Sequence, residues 1–148
     1  MQQRRYLTNL RGMHQQCEAN YVRLLQLIAD WDVFESLELA IDNANGPTVL
    51  VKITLLERNP YTSTIMLDQQ DVLLPWAKGP QLTVRVYHDA RMAEVISWNR
   101  HRLIKPRYEY PNPQMYLPDE KAQLNQFFGE CLSQCIAHGR TREPISIS

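Results

Sequence analysis

Apolar side chains recur at helical spacing in two parts of the chain. Over residues 13–29 the positions of Cys17, Tyr21 and Leu24 lie on one side of a helix, with polar residues on the other. A second stripe follows Asp119, which is placed to cap a helix, and Gly139 stands where a helix would end. Each helix has a single apolar side, so each must pack against another element.

Between these helices the apolar positions alternate with polar ones, which predicts strands. Alternation over 37–42 is followed by the turn-forming residues 43–47, and a second strand covers 48–57. A third strand follows Asn59-Pro60. Two more strands are predicted at 82–88 and 92–98, after a proline-containing stretch that we expect to cover the sheet.

The pattern also suggests how the strands pair. The second and third strands place their apolar stripes on one face if Val51, Ile53 and Leu55 lie opposite Leu67, Ile65 and Ser63. In the later hairpin, pairing His88 with Arg91 brings Val86 opposite Ala93, Val84 opposite Val95, and Arg85 opposite the oppositely charged Glu94.

Together these elements predict an α+β fold. We expect an antiparallel sheet of four to five strands with an N-terminal and a C-terminal helix packed on one face, because the sheet offers one apolar face to both helices. The 148 residues fit one core, so residues 1–140 are predicted to form a single domain and 141–148 a flexible tail.

The stretch from Asn59 to Thr64 has two interpretations. Asn59-Pro60 is typical of a chain-reversing turn, and proline there removes no hydrogen bond from the sheet. Alternatively, Tyr61 and the hydroxyl groups of Thr62, Ser63 and Thr64 form a polar surface that binds a ligand. The alternating pattern favours the turn.

Charge and cysteine content narrow the function classes. Sixteen basic and sixteen acidic residues give no net charge to attract nucleic acid or an anionic membrane, and no run of about 18 apolar residues exists. We therefore expect a cytoplasmic protein without a membrane segment or cofactor. Cys131 and Cys135 share one helix face, and we expect both to be buried in the core as free thiols. The alternative is that they form a metal or redox site with His138.

The strongest candidate site is the basic-aromatic segment, residues 98–112. Its basic side chains and aromatic rings could hold phosphates and bases, or clamp an acidic partner. The alternative is a solvated loop whose arginines pair with nearby carboxylates. The candidate binding residues are Trp98, Arg100, His101, Arg102, Lys105, Arg107, Tyr108, Tyr110 and Asn112.

Four blocks in the second half of the chain carry a family resemblance. In order, YHDARMAEV, PRYEYPN, DEKAQLNQFF and CIAHG resemble the YqiB-like proteins of gammaproteobacteria, a family classed as a domain of unknown function. The resemblance implies one cytoplasmic domain and brings no catalytic residue or cofactor. The residues it singles out are His88, Asp89, Ala90, Arg107, Tyr108, Tyr110, Pro111, Asn112, Asp119, Glu120, Lys121, Asn125 and His138.

No nucleophile motif or phosphate-binding glycine loop occurs in the sequence. The first hypothesis is therefore a non-enzymatic interaction protein that binds an acidic partner or anionic ligand through the basic-aromatic segment. The alternatives are a small hydrolase or transferase, with His88 or His101 and Arg107 in a cleft, and an RNA-binding module.

Overall fold

The computed structural model describes residues 2–42, 46, 48–71, 79–100 and 118–141. Two helices and six strands follow one another along these residues. They are α1 (Gln2–Leu27), β1 (Ser36–Ile41), β2 (Val49–Arg58), β3 (Thr62–Asp71), β4 (Pro80–Tyr87), β5 (Met92–Arg100), α2 (Pro118–His138) and β6 (Gly139–Thr141). Within these residues neither helix has an apolar stretch long enough to cross a bilayer.

The strands form one antiparallel sheet in the order β5-β4-β3-β2-β1-β6. Alternate side chains of its central strands, among them Ile53, Leu67 and Val84, are fully buried. They form one core with Leu24 of α1 and Phe128 of α2. Both helices therefore cover the same face of the sheet, and the predicted α+β fold is confirmed.

The pairing of β2 with β3 differs from the prediction by two residues. Ile53 lies opposite Leu67 and Leu55 opposite Ile65, and the chain reverses at residues 59–61. A bulge between Leu55 and Glu57 adds one residue to β2, and the apolar pattern does not reveal it. Because side chains alternate with a period of two, a two-residue shift keeps every apolar side chain on the core face.

The hairpin of β4 and β5 has the predicted register from the turn to Val84, and a bulge between Thr83 and Val84 shifts the pairing by one residue beyond it. Val84 lies opposite Val95, Arg85 opposite Glu94, and Val86 opposite Ala93. The short connection at residues 88–91 leaves little freedom for another pairing, which is why local pattern was sufficient here.

A sixth strand, which was not predicted, ends the described residues, and residues 142–148 of the predicted tail lie outside them. Arg140 and Thr141 pair with Ala40 and Leu39 of β1. Arg140 Nε also donates to Asp42 Oδ2 at 2.8 Å. Gly139 permits this path, because a Cβ there would lie 2.5 Å from the carbonyl oxygen of Cys135.

Candidate functional site

Three connections meet at one end of the sheet, and we call this region the loop end: residues 28–35, 59–61 and 88–91. The backbone N–H of His88 donates to the carbonyl oxygen of Tyr61 at 2.9 Å. Arg58 Nη2 donates to the carbonyl oxygen of Phe34 at 2.6 Å. These bonds tie the three connections together although they are distant in sequence.

His88 occupies the centre of the loop end. It follows Val86 by two residues and so continues the helix-facing side of β4, where its ring meets residues from other elements. Its Nε2 lies 2.9 Å from Ser63 Oγ, and its Nδ1 lies 3.3 Å from the hydroxyl of Tyr21. The ring of Trp31 approaches edge-on, with centroids 4.9 Å apart.

The surroundings of His88 favour the neutral imidazole. Burial lowers the pKa of His88, and the carboxylates of Asp32 and Asp89 act in the opposite direction with smaller effect. A serine hydroxyl bonded to a neutral histidine is also the arrangement of an activated nucleophile. Ser63 is, however, only 3% exposed, and the second ring nitrogen faces a tyrosine hydroxyl rather than a carboxylate.

Arg91 completes the hairpin turn beside His88. Its φ of 57° lies in the left-handed region, which is uncommon for an arginine. Its guanidinium carbon lies 5.4 Å from the centre of the Tyr21 ring, over the ring of the same tyrosine that faces His88. The turn is thereby joined to α1 as well as to the strands.

The opposite, helix-free face of the sheet carries a groove. The open-face row consists of Glu38, Lys52, Asp68 and Gln81, which lie side by side on four neighbouring strands. They alternate along each strand with buried core residues and therefore point away from the helices. With Leu50, Gln69, Gln70 and Gly79 they line a groove of about 320 Å³. Its charges are mixed, because Lys52 stands between two carboxylates.

The predicted binding residues fall mostly outside the described part of the chain. His101, Arg102, Lys105, Arg107, Tyr108, Tyr110 and Asn112 lie in the range 101–117, which the structure does not describe. Trp98 lies opposite Leu82 and packs, half-buried, against the core. Arg100 lies opposite Pro80, and its neighbour Asn99 lies opposite Gln81 of the open-face row.

The stretch after Asn59 is a turn, as the alternating pattern favoured. Tyr61 is 69% exposed, but Ser63 and Thr64 are buried, so their hydroxyl groups do not form a ligand-binding surface. The bond between Ser63 and His88 spans 25 residues. No local pattern indicated it, and the only sequence signal at either residue was the block containing His88.

The cysteines of α2 lie in the core, as favoured from the sequence. Cys131 and Cys135 are both buried, and the hydrogen bond between them together with burial raises the pKa of Cys131. His138 is exposed and so does not join them. Across the described residues, no three histidine, cysteine or acidic side chains are grouped to hold a metal ion.

Comparisons with known proteins agree with the resemblance of the sequence blocks. Residues 23–141 match the family described as "Protein of unknown function (DUF1249)". The chain is 34% identical over 143 residues to "Uncharacterized protein YqiB" of Escherichia coli strain K12, covering 96% of this chain and 99% of that protein. The YqiB proteins of E. coli O157:H7 and O6:H1 give the same values. No solved structure matches the chain significantly.

Proposed function

The chain belongs to the DUF1249 family of YqiB-like proteins, and we propose that it is a non-enzymatic interaction protein of the cytoplasm. In this proposal it binds an acidic protein partner through the basic-aromatic segment, residues 98–112. The family carries no described activity, so the proposal rests on the residues of the chain and on the position of this segment.

The observation that carries the proposal is the pairing at the end of β5. Asn99 lies opposite Gln81, and Arg100 lies opposite Pro80. Gln81 and Gly79 line the groove on the helix-free face. The chain therefore enters the basic-aromatic segment at the edge of that groove, where a partner could contact both.

The charge distribution supports an acidic partner that is attracted by the basic-aromatic segment rather than by the groove. The net charge of the chain is zero, so no global field attracts an anion. In the groove, Lys52 is flanked by Glu38 and Asp68, which compensate its charge. Attraction for an acidic surface must then come from Arg100, Arg102, Lys105 and Arg107, and the mixed open-face row would contribute specificity.

The position of His88 favours this proposal over a hydrolase or transferase. His88 lies seven residues along the chain from Gln81, roughly 23 Å in an extended strand, and so it is remote from the groove. Its ring faces the hydroxyls of Ser63 and Tyr21. Labelling of Ser63 by a fluorophosphonate probe would favour the enzyme instead.

Affinity capture from lysate with charge-reversed variants tests the proposal. The tagged protein, its Arg102→Glu/Lys105→Glu variant and an Arg11→Glu control are compared, since Arg11 is exposed on α1 and far in sequence from the segment. We expect the double variant to lose the acidic proteins that the wild-type chain and the control retain. The difference in capture between the wild-type chain and the double variant should shrink as the salt concentration is raised, because exposed charges are screened.

Two results would contradict the proposal. Equal capture by the double variant and the wild-type chain would show that the segment does not recognise the partner. Capture that disappears after nuclease treatment would favour the RNA-binding alternative, in which the same arginines contact phosphates.

A further inference from the structure

The side chains that meet at His88 come from four separate elements. Tyr21 belongs to α1, Trp31 to the connection after α1, Ser63 to β3, and His88 to the turn after β4. His88 therefore joins the helix layer to the sheet at the loop end. A change in its hydrogen bonding would act on all four elements at once.

Three hydrogen-bond donors from other elements lie around this ring. The indole Nε1 of Trp31 is buried and has no hydrogen-bond partner within the described part of the chain. Ser63 and Tyr21 each bring a hydroxyl proton that needs an acceptor. Neutral imidazole supplies one N–H and one acceptor nitrogen, so it can donate to one hydroxyl and accept from the other in either tautomer.

Protonation would remove this balance. Imidazolium donates from both nitrogens, so both hydroxyl oxygens must accept from the ring. Neither hydroxyl proton then has a ring nitrogen to which it can donate. A partly buried site also disfavours the added charge. Among the described residues, the carboxylates of Asp32 and Asp89 favour imidazolium, whereas the positive charge of Arg91, held over the Tyr21 ring, would oppose it.

We propose that His88 is a proton-controlled latch. The neutral ring holds the loop end closed, and protonation of the ring loosens the loop end while the rest of the sheet stays folded. The opening is local because part of the loop end is exposed. Val33 and Tyr61 are each 69% exposed, whereas the strand residues Ile53, Ile65 and Val84 are fully buried. Segments with few buried contacts open before the core does.

The direction of the pH dependence follows from the ring environment. Burial places the folded-state pKa of His88 below its ordinary value of 6.5. The unfolded or opened state then binds the proton more readily, so the stabilisation is complete above about pH 6.5 and is lost as the pH falls through the folded-state pKa. Acid, not base, opens the latch.

Hydrogen exchange measured by mass spectrometry tests the latch on the whole chain. Protection factors, corrected for the intrinsic pH dependence of exchange, are compared at pH 7.5 and pH 5.0. We expect peptides covering 28–35 and 88–91 to lose protection in acid, because the opened state binds the proton more readily. Peptides from β2 and β3 between residues 50 and 57 and between 65 and 69 should change little.

Two variants separate His88 from other acid effects. His88→Gln keeps one donor and one acceptor but does not titrate, so its loop-end protection should be the same at both pH values. His14→Gln removes an exposed histidine of α1 and should behave as the wild-type chain. Acid loosening that persists in His88→Gln, or that spreads equally over the sheet, would overturn the proposal.

A titration of the wild-type protein covers the case in which His88→Gln does not fold. Nuclear magnetic resonance follows the ring signals of His88 and the indole N–H signal of Trp31 across pH 4.5 to 8. We expect both residues to titrate with one midpoint below 6.5. A Trp31 signal that does not move with His88 would contradict the latch.

Discussion

Asn125 of α2 accepts a hydrogen bond from the backbone N–H of Val95 through its side-chain oxygen, at 2.9 Å. Val95 belongs to β5, the edge strand of the described sheet, whose outward-facing N–H groups face no other described strand. The side-chain nitrogen of Asn125 donates to the carbonyl oxygen of Lys121, and its backbone oxygen accepts from Asn20 of α1. One fully buried residue thus joins both helices to the sheet edge.

Replacing this amide by an apolar group of similar size should destabilise the protein markedly. Asn125→Leu leaves the buried N–H of Val95 without an acceptor, which costs about 1–3 kcal/mol. Urea unfolding at neutral pH measures the difference. Gln126→Ala is the matched control on the next, exposed position and should stay within about 0.5 kcal/mol.

Two glycines in helices should respond in opposite directions to alanine. A Cβ at Gly129 would clash with Gln16 Nε2 and lie 2.7 Å from Asn20 Oδ1, and Asn20 is fully buried. Gly129→Ala should therefore cost about 1–3 kcal/mol in spite of alanine's better helix propensity.

Gly12 provides the comparison, because a Cβ there meets no atom of the described residues within 4 Å apart from its chain neighbours and the backbone of its own helix. Gly12→Ala should raise the free energy of unfolding by up to about 1 kcal/mol. Both variants are compared by thermal and urea unfolding. A stabilising Gly129→Ala would show that α1 and α2 lie further apart than the structure places them.

The thiol of Cys17 should be unreactive at neutral pH. Burial, with a smaller effect from Glu94, raises the pKa of Cys17 to about 11, and its Sγ faces Asn125 Oδ1 at 3.8 Å. Native protein should take up no iodoacetamide at Cys17 at pH 8, whereas urea-unfolded protein should be labelled fully. Peptide mass spectrometry measures the site.

The same raised pKa has a consequence for stability at high pH. The folded state retains the Cys17 proton that the unfolded state releases near 9.0, so stability is complete below about pH 9 and falls as the pH rises toward 11. Cys17→Ala should remove this part of the alkaline slope. An unchanged slope in unfolding curves between pH 8 and pH 10.5 would contradict the assignment.

Arg91 is held in a backbone conformation that few residues adopt. Because φ is 57° there, Arg91→Asn should be tolerated better than Arg91→Val, by about 1 kcal/mol or more, since asparagine visits the left-handed region and a β-branched residue does not. Both variants lose the guanidinium over Tyr21, so their difference reports backbone strain alone. Equal melting temperatures would show that the turn relaxes.

The sequence by itself determined the features that depend on near neighbours. The helix and strand periods predicted every element except β6, because each pattern lies within its own segment. The register of β4 and β5 was also correct from the turn to Val84, since a connection of four residues and the pairing of Arg85 with Glu94 select it, whereas the bulge beyond Val84 was not predicted. The basic-aromatic segment was identified by composition and stays a prediction.

Only the tertiary structure decided the features that join distant segments. β2 and β3 pair two residues away from the predicted alignment, and a side-chain period of two cannot distinguish these two registers. β6 pairs with β1 although Leu39 and Thr141 are 102 positions apart, and the His88 contacts with Ser63 and Tyr21 span 25 and 67 residues. These partners meet because the two helices and the sheet bury one common apolar face. The sequence of a single strand or helix does not specify which distant segment packs against it.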